Sequence, residues 1–166
     1  KRAMPIITFP AATKLNISVK KLINDTDQQV AALKIIKEEC NPLAILGFMD
    51  LSVEAECFGA EIKVTDNEVP TVVGQLIEDE DDAQALKVPA VGSGRSQLYI
   101  DAIKKTKAEI KDIPILGGCI GPFSLAGRLM DVSEAMINCY EEPEMVHIVL
   151  EKATKFLIDY ISAYKE

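Results

Sequence analysis

No stretch of this sequence is apolar for long enough to cross a membrane, which takes about 20 consecutive residues. The opening Lys1-Arg2 leads into a short apolar segment rather than a signal-peptide core, so a cytoplasmic location is expected. Basic residues are in deficit: 18 Lys and Arg against 26 Asp and Glu leave a net charge of −8. That balance repels nucleic acid and anionic lipid and argues against both as partners. Metal-binding patterns are missing too. Cys40, Cys57, Cys119 and Cys139 form no Cys-x-x-Cys pair, and His147 is the lone histidine. A zinc site takes three or four ligands at close range, and nothing here builds one. Scattered thiols of this kind read as buried and reduced. His147, inside Met145-Val-His-Ile-Val-Leu150, reads as packing or surface. The chain has no internal repeat and no low-complexity segment.

What is present is a strand–helix alternation. At 166 residues, with 48% apolar and 27% charged, the chain makes one soluble domain or part of a larger one. Its most informative stretch is Leu43-Ala-Ile-Leu-Gly-Phe-Met-Asp50. A run this short, apolar and β-branched in part reads as a strand buried on both faces, with Asp50 where it emerges. Met4–Phe9 and Ile113–Ile120 repeat the pattern and lead into Pro10-Ala-Ala and Gly121-Pro122-Phe-Ser124. In parallel α/β folds the carboxyl ends of strands carry the chemistry. Three strand ends would therefore converge on one site, with Asp50 as its acid.

The rest of the chain fills in around these strands. A loop follows Phe9, and a helix is expected over 25–40, capped by Asp25 or Asp27, with Val30, Leu33, Ile35 and Ile36 inward. Residues 51–58 read as a short helix stopped by Gly59, and 60–73 as a β-hairpin or edge excursion. Glu78-Asp-Glu-Asp-Asp82 suits the start of a helix near 79–86, where carboxylates meet the positive dipole end. Gly92-x-Gly94 is too sparse for a phosphate loop and reads as the turn before a helix over 95–110. Helices near 122–129 and 132–139 follow strand 113–120, and a long helix runs from Pro143 to about Tyr164. This order signifies an α/β fold with a parallel sheet, either doubly wound or the first part of a barrel.

Three segments carry a resemblance to a known family. Pro5-Ile-Ile-Thr-Phe9-Pro10, Phe48-Met-Asp50-Leu-Ser-Val-Glu54-Ala-Glu56-Cys-Phe-Gly59-Ala-Glu61 and Gly121-Pro122-Phe123-Ser124-Leu125-Ala126 resemble the uroporphyrinogen decarboxylase superfamily. Within it they are most similar to the methylcobamide:coenzyme M methyltransferase branch. The resemblance spans the whole chain and implies a partial (β/α)8 TIM barrel, strands one to three with their helices. Residues 1–166 would be the N-terminal half of a barrel whose C-terminal half lies elsewhere. It also implies that Asp50 holds the place of the decarboxylases' catalytic aspartate, an anion that stabilises positive charge on a tetrapyrrole. Phe9, Met49, Glu54, Gly121, Pro122, Ser124 and Arg128 would line the cleft.

Two departures from the decarboxylase pattern bear on substrate. The paired arginines expected after strand one, suited to clamping carboxylates, are replaced by Phe9-Pro-Ala-Ala-Thr-Lys14, and Arg128 lies near the place of the family's active-site tyrosine. Methyl transfer from a methylcobamide to a thiol such as coenzyme M therefore fits better than tetrapyrrole decarboxylation. That branch implies a corrinoid co-substrate on a small carrier protein and a zinc ion that activates the thiol. The branch's zinc ligands include a His-x-Cys pair, which this sequence lacks, so the metal is expected only through the missing half. Asp50 can also be read as a helix cap alone, and Glu54 and Glu56 as solvated helix surface. A non-catalytic half-barrel that assembles with a second half or with itself is the remaining alternative.

Overall fold

The computed structural model describes residues 2–165. The expected first strand, 4–9, is not formed: Met4, Ile6 and Ile7 are exposed. A backbone bond from Leu43 N to Ala3 O falls just before this segment, and Pro5 removes a donor that a ladder would use. Where a loop was expected, two short helices follow, α1 (Ala11–Leu15) and α2 (Val19–Ile23). Their Ala11, Ala12, Leu22 and Ile23 are buried, so packing decides this segment rather than any long periodic pattern. Asp25 accepts the backbone N–H groups of Asp27 and Gln28 and starts α3 (Thr26–Cys40), whose Val30, Leu33 and Ile36 are buried.

Strand β1 (Ile45–Leu46) is followed by α4 (Val53–Phe58), which ends at Gly59 with φ 99°, a left-handed cap that glycine accepts without strain. The hairpin β2 (Glu61–Lys63) and β3 (Thr71–Val73) is antiparallel, Ile62 opposite Val72. Asp79 caps α5 (Glu80–Ala85), and the turn 92–94 leads into α6 (Ser96–Glu109). After β4 (Ile115–Leu116) come α7 (Pro122–Met130), α8 (Val132–Glu141) and α9 (Pro143–Ala163). Pro122 and Pro143 sit in first turns, where a missing N–H costs nothing.

β1 and β4 pair in parallel, Ile45 opposite Ile115, as the crossover through α4 to α6 requires. Both strands are shorter than the apolar runs that encode them, and burial on both faces does not hold. Ile45 is fully buried against the α3 side, while Leu43 and Leu116 are exposed. With only a two-stranded parallel ladder among the described residues, the other face is partly covered, Leu46 being half-buried and Leu116 exposed. One core gathers α1, α2, α3, β1 and Tyr99 of α6; a second gathers α4, α5, α7 and α9. In the second, the rings of Phe58, Phe156, Tyr160 and Tyr164 form a chain of neighbours 4.8 to 5.7 Å apart. The seam between the two cores runs past the end of β1. No helix among the described residues is long and apolar enough to cross a membrane.

The thiols and the histidine correct and refine the sequence reading. Cys40 and Cys139 are exposed rather than buried, because each lies on the solvent side near the end of its helix; Cys57 and Cys119 are half-buried. Burial raises the pKa of both half-buried thiols and keeps them protonated. His147 lies on the exposed side of α9.

Candidate functional site

Asp50 leaves the end of β1 with its side chain wholly buried. A buried carboxylate needs partners for its charge and lone pairs, and it has four. Oδ1 accepts from Ser52 N at 3.1 Å and Ser52 Oγ at 2.6 Å. Oδ2 accepts from Arg95 Nη1 at 2.5 Å and from the Tyr99 hydroxyl at 2.8 Å. Arg95 also donates through Nη2 to Ser52 Oγ at 2.8 Å and through Nε to Glu56 Oε2 at 2.7 Å. Burial works against the Arg95 charge, but Asp50 beside it carries the pKa above its ordinary value. Burial first, and the Asp50 anion second, push the Tyr99 hydroxyl well up. Asp50 thus closes a turn onto Ser52 one residue short of α4 and joins β1 to the start of α6.

A second acid shares this place, so Asp50 is not alone. Glu54 is buried, not on a solvated surface: Oε1 accepts Ile120 N at 3.1 Å, and Oε2 has no partner. Burial, reinforced by Asp50, raises its pKa. Asp50, Glu54, Tyr99, Cys119 and Tyr160 border a cavity of about 10 Å³, room for one water molecule. Gly118 also borders it. A β-carbon there would stand 2.9 Å from Met49 Sδ, so glycine permits the chain after β4 to pass close to the chain after β1. Glu56 is half-buried and holds Arg95 instead of facing water alone.

A larger cavity, about 320 Å³, lies on the other side of the residue-50 turn. Phe9, Met49, Leu51, Ser52, residues 69–72 of the hairpin and Arg128 line it. Three of the residues expected in a cleft, Phe9, Met49 and Arg128, therefore meet in one cavity. Gly121, Pro122 and Ser124 do not line either cavity; they are exposed at the start of α7. Ile120, immediately before them, is tied to Glu54, so the bend begins at the same strand-end region. Among the described residues, no three His, Cys, Asp or Glu side chains converge where a metal ion could bind.

Ser52, Arg95 and Tyr99 are functional candidates that the sequence reading missed. A signal was available. Arg95 stands at the start of α6, where the positive end of the dipole disfavours a cation. A guanidinium placed there calls for a carboxylate partner, and Tyr99, four residues on, faces the same way.

Comparison with known proteins bears on all of this. The family described as Uroporphyrinogen decarboxylase (URO-D) matches residues 2–166. The methylcobamide:CoM methyltransferase MtbA of Methanosarcina acetivorans is 33% identical over 120 residues, covering 70% of this chain and 35% of that protein. The uroporphyrinogen decarboxylase of Campylobacter concisus is 30% identical over 135 residues, covering 72% and 38%. A solved methyltransferase from Methanosarcina mazei superposes with a TM-score of 0.87 at 22% identity, over 99% of this chain and 50% of that one. That last likeness shows a shared fold. The chain spans between about a third and a half of the length of these relatives.

Proposed function

The chain belongs to the uroporphyrinogen decarboxylase family, and on that premise we propose that it is the N-terminal half of a (β/α)8 TIM barrel in a cytoplasmic methyltransferase. The proposed reaction moves a methyl group from a methylcobamide to a thiol such as coenzyme M. The observation that carries this reading is the make-up of the 320 Å³ cavity, whose walls are largely apolar and whose one cation among the described residues is Arg128. A tetrapyrrole bearing eight carboxylates calls for several guanidinium clamps. Arg95 is already engaged by Asp50 and Glu56, and Phe9–Lys14 contains no arginine. An apolar wall with few polar groups suits the face of a corrinoid macrocycle.

In this reading the part played by Asp50 is electrostatic. Both its oxygens are engaged, so it is neither a nucleophile nor a free base. It fixes negative charge at the strand end, partly offset by Arg95, beside the Met49–Ser52 turn that lines the cavity, where the cationic cobalt(III) corrinoid of the methylated co-substrate is attracted. Ser52 and Tyr99 hold the carboxylate in place. Phe9, Met49 and Arg128 form the wall of the 320 Å³ cavity, Glu54 borders the small cavity on the other side of the residue-50 turn, and Gly121, Pro122 and Ser124 form the exposed bend just after Ile120. Zinc, when bound by such an enzyme, lowers the pKa of the thiol. Its ligands are proposed to come from the C-terminal half of the barrel. The partners that follow are a small corrinoid-carrying protein, the thiol, and the C-terminal half of the barrel or a second copy.

The test uses the intact gene product with methylcobalamin and coenzyme M. Thiol-dependent conversion of the methylcobalamin spectrum to that of reduced cobalt is expected. Turnover of uroporphyrinogen with no thiol-dependent spectral change would make the decarboxylase reading the correct one.

A further inference from the structure

We propose that the outer face of α8 is a docking surface for a partner protein that presents an apolar patch rimmed by lysine and arginine. Val132, Met136, Ile137 and Tyr140 are all exposed, Tyr140 at 92%. Their spacing of four, one and three residues places them on one side of the helix. Ala135, on the opposite side, is fully buried among α7 and α9. The fold therefore already satisfies the inward face of α8; Val132 lies partly over Gly127 of α7, while Met136, Ile137 and Tyr140 remain open.

Charge identifies the kind of partner. From Leu129 to Glu151 the chain carries Asp131, Glu134, Glu141, Glu142, Glu144 and Glu151 and no lysine or arginine. Glu134 and Glu141, seven residues apart, run along the edge of the apolar stripe next to Ile137. A second copy of the chain would bring acid against acid, which disfavours self-pairing. One face of a ten-residue helix also falls short of the roughly 1,200 Å² that a stable interface buries. A partner that docks and leaves fits both facts. Position adds a reason for it to come here: Val132 follows Arg128 of the cavity wall by four residues. The surface stands whichever reaction the cavity supports.

The test is fluorescence anisotropy on the intact gene product with two synthetic helical peptides of identical leucine face, one rimmed by lysine and one by glutamate. The lysine-rimmed peptide is expected to bind about tenfold more tightly, with the gap narrowing as salt rises. The double variant Met136→Ser, Tyr140→Ser keeps every charge and is expected to lose about tenfold in affinity for it. Glu134→Gln with Glu141→Gln should abolish the preference between peptides while leaving the thermal midpoint unchanged. Equal binding of the two peptides, or full affinity in the serine variant, overturns the proposal. So does a stable dimer in sedimentation that Tyr140→Ser dissociates, since the occupant would then be a second copy. Absence of any binding to the intact protein overturns it as well, because the rest of the chain would then cover α8.

Discussion

Arg95 and Asp50 illustrate how one buried pair can organise a strand end. Their side chains are 8% and 0% exposed, so each charge is tolerable only because the other is there. Arg95→Met should leave Asp50 buried with Tyr99 and Ser52 alone and cost about 3 kcal/mol of stability. Adding Asp50→Asn should restore part of that loss, since the stranded charge is gone. Urea unfolding of the two single variants and the double variant checks this; a loss below about 1 kcal/mol in Arg95→Met would remove the pair from any organising role. Glu54 makes a pH-dependent contribution of the opposite kind to a paired acid. Its folded pKa lies above 4.5 because it is buried, so the folded state holds this proton more tightly than the unfolded chain does. The resulting stabilisation is fully present below the unfolded value and is lost as pH rises through the raised folded value. Glu54→Gln mimics the protonated acid. Its melting temperature relative to the native protein should therefore climb between about pH 4 and about pH 8. A gap that stays constant across that range would mean that folding does not shift the Glu54 pKa.

At the scale of elements, helices were legible and strands were not, and the difference is physical. A helix carries its hydrogen bonds and caps within its own segment. The cap at Asp25, the stop at Gly59, the acidic run at 78–82 and the proline at 143 therefore point directly to α3, α4, α5 and α9. The hairpin also appears as expected, since its partner strands are near in sequence. A strand in a parallel sheet depends on neighbours that sequence does not supply locally. Residues 4–9 have the composition of a strand yet remain unpaired, and the runs 43–48 and 113–120 form ladders only at Ile45–Leu46 and Ile115–Leu116. The site shows the same limit. The place of Asp50 at the end of β1 was legible because it ends an apolar run. Its partners Arg95 and Tyr99 come from 45 and 49 residues away, and no local pattern links them. α1 and α2, five residues each, are too short to show a period, and only tertiary burial defines them.

Across the whole molecule, apolar surface is left open around the short parallel ladder. Ile6, Ile7, Leu43 and Leu116 are exposed around the short parallel ladder, where a soluble monomer would normally cover them. A two-stranded sheet is marginal alone, and its open edges offer unpaired backbone groups to other chains. The relatives are between two and three times as long as the part matched here, enough to supply further strands on those edges. Residues 1–166 expressed alone should therefore bind the dye ANS and associate as concentration rises in sedimentation velocity. Ile6→Lys with Ile7→Lys should weaken that association without lowering the melting temperature, because neither side chain packs into either core. On the half-barrel reading, a gene product of the relatives' length should show neither dye binding nor association through this region, because further strands would take the place of solvent there. A monomeric, dye-silent 166-residue chain would mean that these residues form a finished surface, and the half-barrel reading would lose its physical motive.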